Sequence, residues 1–223
     1  FKRLGFKEEN FDDDFKKLMM RRIYDIAAVT ENSVKVKYNS KKLEPEIKDF
    51  ESYVNVYIGS KSNTPRKYEC ANERWEYFVC LAPNQEFTQV SFVNGINTYK
   101  GGKHVDYIIN QIVRKLSEYI KEKKNIQVKP ASIKEQLMIF INCTIENPSF
   151  DSQTKDYMNT PISNFGSTCQ ISDTFIEKLA KLGVMNTACS LTEIKDNKQA
   201  KKSDGSKVKN LRHITKLVDA NKA

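Results

Sequence analysis

The stretch "TQVSFVNGINTYKGGKHVDYIINQIVRKLSEYIKEKKN" (88–125) sets three kinds of backbone in succession. Its first eight residues are β-branched and aromatic at their centre and end on Asn-Gly, the composition of a strand that turns. A Gly-Gly pair follows at 101–102. Beyond it Val105, Ile108, Ile109, Ile112, Leu116 and Ile120 recur at three- and four-residue steps. That spacing predicts an amphipathic helix of about 18 residues lying across a sheet.

The segments on either side supply the rest of the sheet. "LMIFINCTI" (137–145) is a continuous apolar run of strand length, preceded by a short helical or turn segment, "KPASIKEQ". "RWEYFVCLA" (74–82) is joined to 88–95 by "PNQEF", so these two strands read as a hairpin. Strand, strand, long helix, strand is a ββαβ unit and points to a mixed α/β layer. Upstream, "DDDFKKLMMRRIYDIAA" (12–28) reads as a helix with an acidic first turn and an apolar stripe of Phe15, Leu18, Met19, Ile23 and Ile26. "VKVKY" (34–38) has the alternation of a half-exposed strand, "DFESYVNVYI" (49–58) reads as a short helix, and "SKSNTPRK" (60–67) as a loop. Downstream, "SDTFIEKLAKLG" (172–183) has a Ser N-cap and a closing Gly, and "VMNTACSLTEI" continues as a second helix.

Composition excludes several classes of protein. At 223 residues, with 39% hydrophobic and 29% charged residues, the chain can bury a core of its own and reads as globular. Five scattered cysteines without a C-x-x-C pair, and only two histidines, argue against a disulfide framework and against a zinc site. No apolar stretch has the length of a membrane span. The first residue is Phe rather than Met, which reads as a piece of a longer chain. The net charge of +9 is uneven: 195–223 holds nine Lys/Arg against three Asp, and 100–129 holds eight against three acids. Two basic stretches suggest a polyanionic partner, nucleic acid being the usual one.

Conventional catalytic motifs are missing. "YKGGKHVD" (99–106) fails as a phosphate-binding P-loop, because Gly95 and Gly102 enclose six residues and His104 stands where Ser or Thr should follow the lysine. The glycines read instead as a sharp turn before the helix. "KEKKN" (121–125) places lysines at a helix C-terminus, where they suit the dipole and could also meet a nucleic-acid backbone. In "ENPSFDSQTK" (146–155), Lys155 stands in a polar loop straight after the apolar run, a point charge suited to a terminal phosphate, with Gln153 as a neutral donor beside it. A solvated loop explains the same five residues.

Taken in order, "RRIYDIA" (21–27), "VSFVNGINTYKGGKHVDYIINQIV" (90–113), "IFINCTIENPSFDSQTKD" (139–156), "NFGSTCQIS" (164–172) and "ITKLVDANKA" (214–223) strongly resemble the transducer domain of the eukaryotic-type, ATP-dependent type IIA DNA topoisomerases. The resemblance implies an α/β (α+β) chain with the ribosomal protein S5 domain 2-like transducer fold: a mixed sheet, a long crossover helix and C-terminal helices. It implies a boundary helix at 1–30 after a GHKL ATPase domain, the transducer at 31–195, and a basic tail at 196–223 leading to a Toprim domain and cleavage core. The family's γ-phosphate switch loop falls on Gln153, Thr154 and Lys155. Its basic DNA-contacting triplet falls on Lys121, Glu122 and Lys123, where Glu122 departs from the lysine pattern. ATP and Mg²⁺ would serve the full-length enzyme, none being bound by this stretch alone and no catalytic or metal-binding residue lying within it. Double-stranded DNA, the other domains of the same polypeptide and a second copy in a homodimer would be the partners, in the nucleus and without a membrane. Two other readings compete: a stand-alone nucleic-acid-binding module of S5-like fold, and the equivalent domain of a mismatch-repair or Hsp90-type GHKL ATPase.

Overall fold

A computed structural model describes residues 12–31 and 33–190. The expected basic tail, the last four residues of the second C-terminal helix and the first eleven residues lie outside that range. In chain order the elements are α1 (Asp13–Val29), β1 (Lys37–Tyr38), β2 (Lys41–Lys42), α2 (Phe50–Ile58), β3 (Arg66–Asn72), β4 (Trp75–Leu81), β5 (Thr88–Val93), β6 (Ile96–Asn97), β7 (Gly101–Gly102), α3 (Lys103–Lys124), α4 (Pro130–Lys134), β8 (Leu137–Cys143), β9 (Tyr157–Met158) and α5 (Asp173–Leu179).

The main sheet has the order β3-β4-β8-β5-β6. β8, the most apolar strand, takes the centre, antiparallel to β4 and parallel to β5. A parallel neighbour requires a crossover, and α3 supplies it. Both faces of β8 are covered, which is why it reads as an unbroken apolar run. Leu137, Ile139 and Ile141 join the cluster under α3 and α5, while Met138 and Phe140 join the one under α1 and α2. β4 divides in the same way, Tyr77 and Val79 to one face, Phe78 and Cys80 to the other. The six apolar positions read on α3 are all buried, each contributing about 1.5–3 kcal/mol relative to exposure.

The mixed α/β class and the ββαβ order are borne out, with α3 extending to 22 residues. Four local expectations are corrected. The strands at 74–82 and 88–95 are not a hairpin, because β8 lies between them. The true hairpin partner of β4 is β3, whose first residues were read as loop. The strand expected at 34–38 shrinks to Lys37–Tyr38, paired with β2. The apolar stripe of α1 largely faces outward: Phe15, Leu18, Met19 and Ile26 are 42–51% exposed, while Asp25, Ala27 and Ala28 are buried. Asp25 instead ties α1 to α2, accepting the Tyr53 hydroxyl at 2.5 Å. At the other end α5 is capped by Ser172 as expected, and the chain breaks at Gly183 (φ 106°) before continuing as helix to residue 190. Among the described residues no helix is long and apolar enough to cross a membrane.

Candidate functional site

The loop carrying Gln153, Thr154 and Lys155, expected to act as the switch, is closed at its base and open at its tip. As the chain leaves β8, Asn94 holds it with both ends of its amide: the Ile145 N–H donates to Oδ1 at 2.8 Å, and Nδ2 donates to the Ile145 carbonyl at 2.9 Å. Across the loop the Ser149 N–H donates to Thr160 Oγ1 at 2.7 Å, and Asn159 and Asp151 donate backbone N–H groups to the carbonyls of Ser149 and Tyr157 at 3.0 and 3.1 Å. Above this ladder Ser152, Gln153, Thr154 and Lys155 are exposed. Lys155 is left-handed (φ 59°), an uncommon state for a side-chain-bearing residue, and its N–H closes the turn onto the Ser152 carbonyl at 3.1 Å. Its Nζ lies 5.7 Å from the centroid of the Phe150 ring and meets no carboxylate among the described residues. The tip therefore presents an uncompensated ammonium on a braced loop.

The brace continues into α3. β9, directly after the loop, pairs in parallel with β7, Gly101 opposite Tyr157 and Gly102 opposite Met158. A Cβ on Gly102 would stand 2.4 Å from the Met158 carbonyl oxygen, so the approach requires glycine there. The glycine pair makes the expected turn, with φ of 80° and 148°, and also admits this second strand. The Lys100 N–H donates to the Asp156 carbonyl at 3.0 Å, and Lys100 Nζ stands 3.4 Å from Asp156 Oδ2, which also accepts the Thr154 hydroxyl at 2.8 Å. Desolvation alone would raise Asp156; hydrogen bonds from Thr154, Tyr99 and Lys100 outweigh it and hold the carboxyl below its ordinary range. In the first turn of the helix, His104 is fully buried against the Thr98 hydroxyl at 3.2 Å, and burial lowers its pKa to about 3. It is a neutral packing residue rather than a base.

Lys121, Glu122 and Lys123 lie in the last turn of α3, all exposed, before Asn125 ends the helix in the left-handed conformation. Their surroundings are mixed in sign. Glu118 and Glu122 share a groove with Asp173 and Glu177 of the α5 segment, where Lys115 pairs with Asp173 at 2.6 Å. The two sets of expected site residues are thus not brought together: the loop is fastened near the start of α3 and the lysines stand in its last turn, the two ends of the helix being about 30 Å apart at 1.5 Å per residue. Asp156, Lys100 and Met158, which fasten the loop to the helix, were not legible as site residues. The glycine pair was the only local sign that a second backbone passes there. Among the described residues no group of three or more His, Cys, Asp or Glu could hold a metal ion.

With this geometry in place, the likenesses to known proteins are specific. The family described as DNA gyrase B matches residues 14–208. DNA topoisomerase 2 of Drosophila melanogaster is 40% identical over 225 residues, covering 98% of this chain and 15% of the relative. DNA topoisomerase 2 of Arabidopsis thaliana is 42% identical, again over 98% of this chain and 15% of the relative. The chain thus spans about 15% of the length of these relatives. Among solved structures, the ATPase region of Saccharomyces cerevisiae topoisomerase II superposes with a TM-score of 0.75 at 39% identity, covering 86% of this chain and 48% of that one. The ATPase and transducer domains of DNA topoisomerase II from Balamuthia mandrillaris give 0.76 at 36% identity, over 85% of this chain and 47% of that one.

Proposed function

Because this chain belongs to the DNA gyrase B family, we propose that it is the transducer segment of an ATP-dependent type II DNA topoisomerase, coupling nucleotide state to movement of a DNA gate and strand passage. The observation that carries the proposal is the placement of Lys155, an exposed and unpaired ammonium on a loop hydrogen-bonded to the start of α3. In this reading the nucleotide sits in a GHKL ATPase domain of the same polypeptide. Bound ATP supplies a terminal phosphate whose presence or absence is the signal.

The chain's own part is to sense and transmit. Lys155 pairs with the γ-phosphate as a point charge, and Gln153 donates a neutral hydrogen bond to the same group. The left-handed backbone at Lys155 and the ladder beneath it fix the direction of reach, so loss of the phosphate changes which orientation of the two domains is favoured. A coupling of about 1–3 kcal/mol is enough to shift such an equilibrium, and contacts from a loop to a γ-phosphate are a known switching device. At the far end of α3, Lys121 and Lys123 contact the backbone of duplex DNA, with Glu122 weakening the local field. Mg²⁺ would accompany the nucleotide, and no carboxylate cluster of the described residues fits it. The same reading has residues 1–30 as a boundary helix and 31–195 as the transducer, in a homodimeric nuclear enzyme whose Toprim and cleavage core follow.

The test is Lys155→Ala in the protein that includes the ATP-binding region. DNA-stimulated ATP turnover should fall by about tenfold, the loss of one charge-assisted contact, with the thermal midpoint unchanged. Unaltered turnover and unaltered stimulation by DNA would sink the switch reading.

A further inference from the structure

The β1–β2 hairpin breaks a local rule of sheet pairing. Its register sets Lys37 directly opposite Lys42. Like charges so placed repel, with Cβ atoms about 5 Å apart, and the arrangement is destabilising. The turn between them, Asn39 and Ser40, is left-handed at both residues (φ 48° and 65°), the geometry of a tight two-residue hairpin. The opposition is therefore built into the fold. Local choices that work against stability mark functional sites more often than chance placements do.

The same two lysines border a cavity of about 300 Å³ between the hairpin and α1, at the lower end of the size of small-molecule sites. Its floor includes Ala27, Leu43 and Ile47, and Lys35, two residues before Lys37, also lines it. Lys48 and Glu46 line it as well and pair with each other at 3.5 Å. Lys35, Lys37 and Lys42 have no carboxylate within ion-pair distance among the described residues, so three uncompensated ammonium groups surround an apolar floor. Glu31, Glu44, Glu46 and Asp49 flank this stretch, so its net charge over any long window is close to zero.

We propose that this cavity is a phosphate-binding site, independent of the switch loop and of the α3 lysines. Lys37 and Lys42 converge on one phosphate group, Lys35 reaches a second oxygen or a neighbouring phosphate, and the apolar floor receives the carbon body that carries it. Bound phosphate would offset the repulsion between Lys37 and Lys42, so binding and hairpin stability rise together. The phosphate has two possible sources, a free phosphorylated small molecule or the phosphodiester backbone of duplex DNA.

The experiment uses the 223-residue chain, inorganic pyrophosphate and a duplex of about 20 base pairs, with the double variant Lys37→Gln/Lys42→Gln. Relief of the like-charge pair should leave the thermal midpoint of the variant unchanged or raised; a lowered midpoint overturns the claim that the pair is held against repulsion. If the source is a free phosphate compound, pyrophosphate saturates the wild-type chain and binds the variant about tenfold more weakly. A phosphodiester source shows instead as duplex binding whose log K against log salt loses about two units of slope in the variant, at roughly 0.9 per contact. The single variant Lys35→Gln should move the responding ligand in the same direction by about threefold. Equal binding of both ligands by wild type and variants overturns the proposal. Lys121→Gln/Lys123→Gln, run in parallel, reports separately on the α3 contact, so failure at one site is not mistaken for failure at the other.

Discussion

The two ends of α3 are built on opposite plans. At the first, two glycines, a parallel backbone pair, the Lys100–Asp156 contact and a buried histidine fasten the backbone of one segment to another. At the last, three lysines and a glutamate stand in water, and the helix simply stops at a left-handed asparagine. On the proposed reading the difference separates what a transmitting element needs from what a contacting element needs: a specified joint where motion would enter, and an adjustable charged surface where a polyanion would be met.

Substitution at the fastened end should have the largest effect. Gly102→Ala places a methyl group 2.4 Å from the Met158 carbonyl oxygen in a positive-φ conformation, and should lower unfolding free energy by about 3 kcal/mol in urea titration. A change below about 0.5 kcal/mol, the range of ordinary surface substitutions, would mean that the β7–β9 pair is not what fastens the loop.

An intermediate effect belongs to His104. Its pKa falls from 6.5 to about 3 on folding because burial disfavours the cation. The unfolded chain therefore binds a proton that the folded chain refuses, and the contribution present above pH 6.5 is lost as pH falls toward 3. The slope from this residue is about 1.4 kcal/mol per pH unit between those limits. The pH dependence of the urea midpoint should lose that slope in His104→Asn; an identical profile would show that the imidazole is reached by water.

The bare end should respond least. Glu122→Lys should change stability by no more than about 0.5 kcal/mol. It should, however, steepen the salt dependence of duplex binding by about 0.9 in log–log slope. An unchanged slope would remove the last turn of α3 from the proposed DNA contact and collapse the contrast between the ends.

The centre of the fold was legible and its edges were not. β8 and α3 declare themselves because each is buried along its length, and burial writes a pattern into sequence. β3 is an edge strand whose residues alternate between half-buried and exposed, so Glu69, Cys70 and Ala71 show little pattern. The supposed hairpin of β4 and β5 failed for a different reason: a short polar connector implies adjacency, but the place beside β4 went to the more apolar strand that arrives later. At the site, Lys155 became conspicuous through resemblance, since five polar residues in a loop have no signature of their own. Its bracing depends on Gly102 meeting Met158, a contact between positions far apart in the chain that no local window can see. The outward stripe of α1 was also misleading, because spacing shows that a face is apolar and not what covers it.

The length of α3 has a mechanical consequence. Its 22 residues span about 33 Å at 1.5 Å per residue, and its first turn is the part gripped by the loop. Ile108, Ile112, Leu116 and Ile120 are buried along that span against the sheet, so the helix does not swing on its own about the glycines. On the proposed reading a displacement at the loop end therefore moves α3 together with the sheet beneath it as one body, and reaches the lysine end undiminished.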